Sequence, residues 1–475
     1  MSRTRTSLTL AVGLVLADSS VVVLALPEIY RELDVSVGAV TWVLVAFNLV
    51  LAASALPAAH LARRAGPARV TCAGLAVFAV ASLVCGLAGG IGLLIAARCV
   101  QAVGGAAAIC GALELLPAQS AAAGSARLTR SCRHTSCAGP PDPSEREAAV
   151  HWARAGTIGA ALGPGAGGVL TELISWQSIF LLQVPMAAVL LAALLGAARR
   201  EARPRAIEAE IRPSGRPHLP ANAALALVSA ALAAALFLVV LLLIEGWRMS
   251  PIAAAATVSV VPLAAFATGR LELDAIDGAA RATAGVLLLA GGLAALALLP
   301  SATVLATIAP QLLVGAGLAL TLEALTEEAL EGRAPQAIHG GWTIAARHLG
   351  VVAGLLVLTP LFTADLDSQR ADAEQAGTAA LLDSRLDSTE KIALAQRLGE
   401  RLEAEGDKVP VLAPAFEPLP EDPDERADAV ELRARLQDEL DRAATHSFSR
   451  SFGVAAGFAL AALGAIALAR GRPSL

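Results

Sequence analysis

Twelve apolar segments, each long enough to cross a lipid bilayer, follow one another along this chain of 475 residues. A bilayer core about 30 Å thick is spanned by about 20 apolar residues in a helix. With 56% hydrophobic and 16% charged residues, the chain is too apolar for a water-soluble protein. We therefore predict an all-α membrane protein with twelve spans, at 7–29, 41–61, 70–90, 92–118, 148–170, 178–198, 222–245, 251–269, 283–300, 302–325, 340–362 and 449–470.

A linker rich in Pro and Arg, residues 199–220, divides the spans six and six. We expect an N-terminal six-helix bundle over 1–198 and a second bundle whose spans 7–11 occupy 221–362. Span 12 and the C-terminal tail make up 448–475. Two bundles of six spans are typical of secondary transporters.

Arginine placement predicts the orientation of the spans. The short loops on the side opposite the N-terminus hold only Arg31 and Arg248. Because positive residues collect on the cytoplasmic side, both termini are predicted to be cytoplasmic, in a multi-pass protein of the plasma membrane. The loops on the N-terminal side hold many more arginines, namely Arg63, Arg64, Arg69, Arg127, Arg130, Arg133, Arg199, Arg200, Arg203, Arg205, Arg212, Arg216, Arg270 and Arg281.

Residues 363–447 differ from the rest of the chain and form a predicted extracytoplasmic insertion. The segment carries 21 acidic and 10 basic residues, a net charge of −11. Stretches at 370–405 and 424–445 have helix-forming composition with spaced apolar residues, and a Pro-rich turn separates them. We expect a helical hairpin, which could bind an extracytoplasmic protein partner. A solvated acidic loop is the alternative.

Two opposite charges lie inside predicted spans at similar depth. Asp18 is near the middle of span 1, and Arg98 lies in span 4. A carboxylate facing lipid is costly, so Asp18 should face a cavity, bind a proton or pair with a cation. The predicted Asp18–Arg98 ion pair could be a proton-sensitive latch or a fixed structural contact.

Span 5 contains a glycine pattern. Gly159, Gly163 and Gly167 recur every four residues, so they form one face that a second helix can approach closely. Pro164 removes a backbone donor and favours a bend. With Gly168, these residues give a Gly-Pro-x-x-Gly-Gly arrangement, which is more specific than small-residue spacing alone.

Four further charged residues are candidates for coupling. Glu114 lies at the N-terminal-side end of span 4, and Glu323 lies near the same side of span 10. Arg347 and His348 are adjacent in span 11, where a histidine could titrate near neutral pH. Packing or interfacial contacts are the alternative for all four.

No catalytic, cofactor or metal site is predicted. Cys132, His134 and Cys137 occur in one loop, but they lack a fourth ligand and any recognised zinc spacing. No phosphate-binding loop of the GxxxxGK[ST] kind occurs in the sequence, which argues against an ATP-driven pump. We expect neither an enzyme nor a nucleic-acid-binding protein, and any transport should use an ion gradient.

Several motifs resemble the drug/proton antiporter branch of the major facilitator superfamily. The similarity is strongest over 10–190. It is carried in span 1 by Asp18, Ala25, Leu26 and Pro27, in span 2 by Trp42, in span 4 by Arg98, Gln101, Gly104 and Ala106, in span 5 by the glycines with Pro164, after it by Trp176, Phe180 and Pro185, and in span 11 by Arg347, Leu349 and Gly350.

The loop between spans 2 and 3 keeps part of the family pattern. Leu61, Arg64, Gly66 and Arg69 match it. Arg63 stands where the family has an Asp that helps to latch the outward-facing state, and Ala59 stands where it has Gly. The resemblance therefore implies a gate whose loop is altered here.

The resemblance implies two six-helix bundles that rock about a central cavity and export a solute in exchange for protons. A lipophilic, amphiphilic or cationic small molecule is the expected substrate, and an aromatic content of only 3% favours an aliphatic cavity. The alternatives are a transport-inactive scaffold or sensor that uses the acidic insertion, and an importer of a small metabolite.

Overall fold

The computed structural model describes residues 3–125, 163–200, 216–271, 273, 275–331, 333, 335–405, 412–417, 419 and 422–470. All regular secondary structure in these ranges is helical. The α-helices are α1 Arg3–Glu32, α2 Val37–Ala65, α3 Pro67–Gly86, α4 Ile91–Ser125, α5 over 163–173, α6 Gln177–Arg200, α7 Leu219–Leu241, α8 Pro251–Val258, α9 Val260–Thr268, α10 Gly278–Ala297, α11 Val304–Leu330, α12 Gln336–Asp383, α13 Ser388–Glu405, α14 Pro423–His446 and α15 Ser449–Arg470.

Eleven helical stretches among the described residues are long and apolar enough to cross a membrane. They coincide with eleven of the twelve predicted spans. The remaining span, predicted at 148–170, lies mostly outside the described residues, and α5 is the part that is seen. We call the side of the bilayer where α1 begins the N-terminal side and the opposite side the far side.

Two spans depart from the predicted single segments. The span predicted at 251–269 consists of α8 and α9, which are separated at Ser259. Pro262 has no backbone N–H to donate to the preceding turn, which accounts for the break. The span after the linker ends in a π-helical turn, Leu242–Gly246, before Trp247.

Small residues set the closest helix approaches. A Cβ added to Gly104 of α4 would lie 2.6 Å from the backbone nitrogen of Phe78 on α3. A Cβ added to Gly285 of α10 would similarly lie 2.7 Å from Gly317 O of α11. Lipid tails are as apolar as leucine, so membrane helices associate through such close packing rather than through the hydrophobic effect. These glycines therefore fix the pairs α3–α4 and α10–α11.

The acidic insertion is helical rather than a solvated loop, but it is not a simple hairpin. The helix of span 11, predicted to end at 362, continues as α12 to Asp383. After a break, α13 and α14 follow, with a short 3₁₀ helix, Ala413–Phe416, between them. The insertion has its own apolar core, formed by Leu381, Leu386, Leu394, Leu412, Ala415, Phe416, Ala429, Leu432 and Leu436.

An aspartate marks the start of α13. Asp387 Oδ2 accepts a hydrogen bond of 3.1 Å from the backbone N–H of Thr389. Hydrogen bonds from the Thr389 and Ser388 backbone lower the pKa of the Asp387 carboxyl below its ordinary value. This capping residue explains why the helix restarts here after α12 has ended.

Candidate functional site

The site is centred on an ion pair between α1 and α4. Arg98 Nη1 donates to Asp18 Oδ2, and neither side chain has any accessible surface. Asp18 occupies the middle of the 30-residue α1, and Arg98 lies two turns into α4. The ion pair predicted from their similar depth is therefore present.

Three polar side chains complete the environment of the carboxylate. Gln183 of α6 donates from Nε2 to Asp18 Oδ1 at 2.8 Å. Gln101 of α4 donates from Nε2 to Gln183 Oε1 and to Ser82 Oγ, each at 2.8 Å. All are buried, so helices α1, α3, α4 and α6 share one hydrogen-bond network. The Asp18 carboxylate is thereby bonded to side chains of α4 and α6 in one buried polar network.

Arg98 has contacts besides Asp18. Its Nη1 lies 2.6 Å from Gln101 Oε1, and its Nε lies 3.5 Å from Val43 O. The guanidinium also lies 3.9 Å from the centre of the Phe47 ring, a cation–π contact. Arg98 would thus keep favourable contacts if Asp18 became neutral, which a reversible ion pair requires.

The glycines of α5 contact helices from both halves. Gly163 is packed against Ser20 of α1. A Cβ at Gly167 would lie 2.6 Å from Val21 O, which is also on α1. A Cβ at Gly168 would lie 2.6 Å from Pro251 O of α8. The close approach expected of this pattern is present, while Gly159 lies outside the described residues, and so does the turn before Pro164.

Arg347 and His348 lie on α12 where it faces the N-terminal half. His348 Nδ1 lies 2.6 Å from Asn48 Oδ1 of α2. Because Asn48 Nδ2 donates to Leu44 O, its oxygen accepts, and the imidazole proton is on Nδ1. Glu323 is half-buried on α11, one turn before Glu327, which pairs with Arg281 at 3.0 Å. Among the residues that the structure describes, Glu323 makes no hydrogen bond or ion pair with His348.

On the N-terminal side, Glu114 joins the two halves. Its Oε2 accepts a hydrogen bond of 3.1 Å from the backbone N–H of Ala337, in the first turn of α12. The helix dipole favours an anion at this position. A carboxylate from α4 therefore lies at the start of span 11. The loop between α2 and α3 does not supply this carboxylate, because it carries Arg63 where the family has Asp.

The α2–α3 loop has its own geometry. Gly66 adopts φ 101°, a conformation that L side chains rarely adopt, so glycine is required at this turn. Arg69 Nη1 donates to Ala65 O at 3.4 Å, and Arg64 is exposed. The loop motif thus shapes a turn and presents a positive charge.

On the far side, α1 is joined to the second half. The Tyr30 hydroxyl donates to Glu245 Oε2, and Arg31 Nη2 lies 2.7 Å from Glu245 Oε1. Glu172 Oε2 of α5 accepts from the backbone N–H of Ile252 at 2.7 Å. The two halves are therefore in contact at both ends of the molecule.

The sequence of residues 8–355 matches the family model of the Major Facilitator Superfamily. The chain belongs to this superfamily. The family prediction is therefore confirmed, and the protein is a multi-pass membrane protein of a family of transporters rather than enzymes.

Relatives of this major facilitator protein include drug efflux proteins. The multidrug resistance protein Stp of Mycobacterium tuberculosis is 31% identical over 40% of this chain and 33% of its own length. The methylenomycin A resistance protein of Bacillus subtilis is 35% identical over 40% of this chain and 36% of its own length. The drug efflux pump JefA of M. tuberculosis is 30% identical over 38% and 32%. The chain thus matches about a third of the length of each of these relatives.

The fold is also that of a solved transporter. A crystal structure of a bacterial homologue of the human lysosomal transporter Spinster, in an inward-facing and unoccupied conformation, superposes with a TM-score of 0.57. The alignment covers 100% of this chain and 99% of that one at 16% identity. This similarity confirms the major facilitator fold.

Several site residues of this major facilitator protein escaped prediction from sequence. Gln183, the second hydrogen-bond partner of Asp18, is a single amide in an apolar span, and Asn48 is likewise isolated in α2. An isolated amide in a span is the signal that could have found both. Tyr30 and Glu245 lie at span ends, where polar residues are ordinary.

Among the described residues, no three His, Cys, Asp or Glu side chains lie together as metal ligands, and Cys132, His134 and Cys137 fall outside that part of the chain.

Proposed function

We propose that this protein is a secondary exporter that couples the efflux of a lipophilic or amphiphilic small molecule to proton entry. The observation that carries the proposal is the buried network around Asp18. It holds a titratable group within the membrane-spanning part of the N-terminal bundle, bonded to side chains of α4 and α6.

Protonation of Asp18 would change the forces between α1 and α4. A neutral carboxyl loses its charge attraction to Arg98, while Arg98 keeps Gln101 Oε1, Val43 O and the Phe47 ring. The contact between α1 and α4 is then weaker, and loss of the proton restores it. Because Asp18 has no accessible surface here, proton exchange requires that these helices rearrange.

Alternating access would be controlled at the two ends. Glu114 with Ala337 holds the N-terminal side, and Tyr30 with Glu245 holds the far side. Opening one end while the other stays closed is the requirement for transport without a leak. The arginine distribution supports a cytoplasmic location for the N-terminal side, and with it an extracytoplasmic insertion.

Efflux rather than uptake is supported by the relatives, whose names describe drug efflux and resistance. A scaffold or sensor that uses the acidic insertion is the second candidate. It is supported by the separate apolar core of that insertion and by its contact with the loop before α8, where Arg248 Nη2 lies 3.1 Å from Asp441 Oδ1.

Proton movement in inverted membrane vesicles tests the proposal. Lipophilic cations, lipophilic anions and neutral amphiphiles are added in turn to vesicles that hold wild-type protein or Asp18→Asn at matched levels. An exporter gives a solute-dependent proton signal that the variant lacks. Silence of folded wild-type protein with every solute class would favour the scaffold.

A further inference from the structure

Arg347 differs from the other charged residues within the spans. Arg98 pairs with Asp18, Arg281 with Glu327 at 3.0 Å, and Arg450 with Asp365 at 2.6 Å. Arg347 has no hydrogen bond and no ion pair with any residue in the described part of the chain. A cation at this depth needs an anion or water as partner.

The side chain of Arg347 is directed to the interior of the protein and not to lipid. Trp342, Leu349 and Leu356 recur every seven residues on α12 and are 40–49% exposed, so they mark its lipid-facing side. Arg347 follows Trp342 by five residues, a rotation of about 140° around the helix. Arg347 therefore lies on the side of α12 that faces away from these lipid-facing residues, and it is only partly buried there.

The side of α12 that carries Arg347 contacts both halves of the protein. Gly340 and Gly354 are seven residues before and after Arg347 and so share its line on α12. A Cβ at Gly340 would lie 2.8 Å from Leu113 of α4, and one at Gly354 would lie 2.5 Å from Ala230 O of α7. Arg347 is therefore located where α12 faces one helix from each half, which is where a rocking transporter binds its substrate.

The neighbouring charges leave the site positive. His348, the next residue, makes its bond to the neutral amide of Asn48. Asp18 is already held by Arg98 and Gln183, and Glu114 by the start of α12. A cationic solute would meet Arg347 without a free carboxylate from these residues, whereas an anionic solute would supply the missing partner.

We propose that Arg347 binds the acidic head group of the transported solute, which is an amphiphile with a carboxylate, sulfonate or phosphate group and an aliphatic tail. The inference rests on the proposed transport function and names its substrate class. A guanidinium offers paired donors to such an oxyanion, and the low aromatic content of the chain suits an aliphatic tail.

Binding to the full chain in lipid nanodiscs tests this assignment. Decanesulfonate and decyltrimethylammonium have the same tail and opposite permanent charges, and empty nanodiscs correct for partition into lipid. We expect wild-type protein to bind decanesulfonate at least tenfold more tightly than decyltrimethylammonium. Arg347→Gln should weaken decanesulfonate binding at least tenfold, and Arg347→Lys should weaken it less because it keeps the charge.

Arg385→Gln is the matched control, since it removes one exposed positive charge in the insertion and should leave the affinity unchanged. Arg347→Gln should unfold at a temperature no lower than wild type, because it removes an unpaired charge. Equal decanesulfonate affinity in Arg347→Gln and wild type, or tighter binding of the ammonium probe, would overturn the assignment.

The same probes separate this inference from the function on which it rests. A proton signal with decyltrimethylammonium, with no effect of Arg347→Gln on decanesulfonate binding, defeats the head-group assignment and leaves proton-coupled export standing. Arg347-dependent binding of decanesulfonate without any proton signal defeats the export proposal and leaves the binding site standing.

Discussion

Arg98 Nη1 donates to Asp18 Oδ2 across the α1–α4 contact, and both side chains are fully buried. These residues are 80 positions apart in the chain. A buried ion pair adds little stability over an apolar pair, but breaking it is expensive. Stability alone therefore does not account for the presence of the pair.

Replacing Arg98 by Gln should destabilise the folded protein by about 3–5 kcal/mol, the usual cost of leaving one member of a buried ion pair without its partner. Adding Asp18→Asn should recover much of that loss, because no buried charge is then unpaired. Unfolding of the wild type, both single variants and the double variant measures the coupling. Additive effects would show that the two residues do not interact energetically.

The glycines of α5 allow a second prediction. Gly167→Ala and Gly168→Ala should each reduce transport at least tenfold, since the new Cβ atoms would lie 2.6 Å from backbone oxygens of α1 and α8. The destabilisation expected from such overpacking is about 1–3 kcal/mol. Gly165→Ala is the control on the same helix, because its nearest neighbour would be Ser259 Oγ at 4.0 Å. Equal loss in all three variants would point to a need for glycine flexibility in α5 instead of close packing.

Glu114→Gln should weaken closure on the N-terminal side by about 1 kcal/mol, or about fivefold, because a neutral amide interacts less with the start of α12. Ala59 is fully buried near Gly341 of α12, so a cysteine placed there reports separation of the two halves. In a background without the native cysteines, Glu114→Gln should raise the alkylation rate of the cysteine at position 59 about fivefold.

Glu331→Gln, which neutralises an exposed glutamate on the same side, serves as the control for Glu114→Gln. An unchanged alkylation rate in Glu114→Gln would mean that Glu114 does not hold this side closed.

The orientation of the insertion can be tested with a reporter. Gly399 of α13 has open space around it, so a cysteine side chain should be tolerated there. In a background without the native cysteines, Gly399→Cys should react with a membrane-impermeant maleimide added outside intact cells. Labelling only after the membrane is permeabilised would contradict the predicted topology.

The spans and the ion pair were predictable because hydropathy and depth are properties of the sequence. A run of about 20 apolar residues has few alternatives in a bilayer, and Asp18 needed a cation at its own depth. The break at Ser259 and the continuation of α12 to Asp383 were not predicted. Both depend on local backbone bonding rather than on average hydropathy.

The cross-bundle contacts were less accessible to sequence reasoning. His348 meets Asn48 because α12 packs on α2, which no spacing within one helix reveals. Glu114 was expected at a span end, but its bond to Ala337 depends on where α12 begins and on how it packs against α4. Gln183 illustrates the same limit, since its importance comes from the hydrogen bond that it donates to an aspartate on another helix.

The central claim is that Asp18 couples solute movement to protons, and transport in proteoliposomes tests it most directly. With a solute identified in the vesicle assay, two rates are compared: accumulation driven by a pH gradient and exchange at equal pH. Asp18→Asn should lose gradient-driven accumulation more than tenfold and keep exchange within about threefold, since a neutral residue can be accommodated but cannot carry a proton. Asp34→Asn, in an exposed turn where φ is 48°, should keep both rates. Gradient-driven accumulation by Asp18→Asn at the wild-type level would contradict the account.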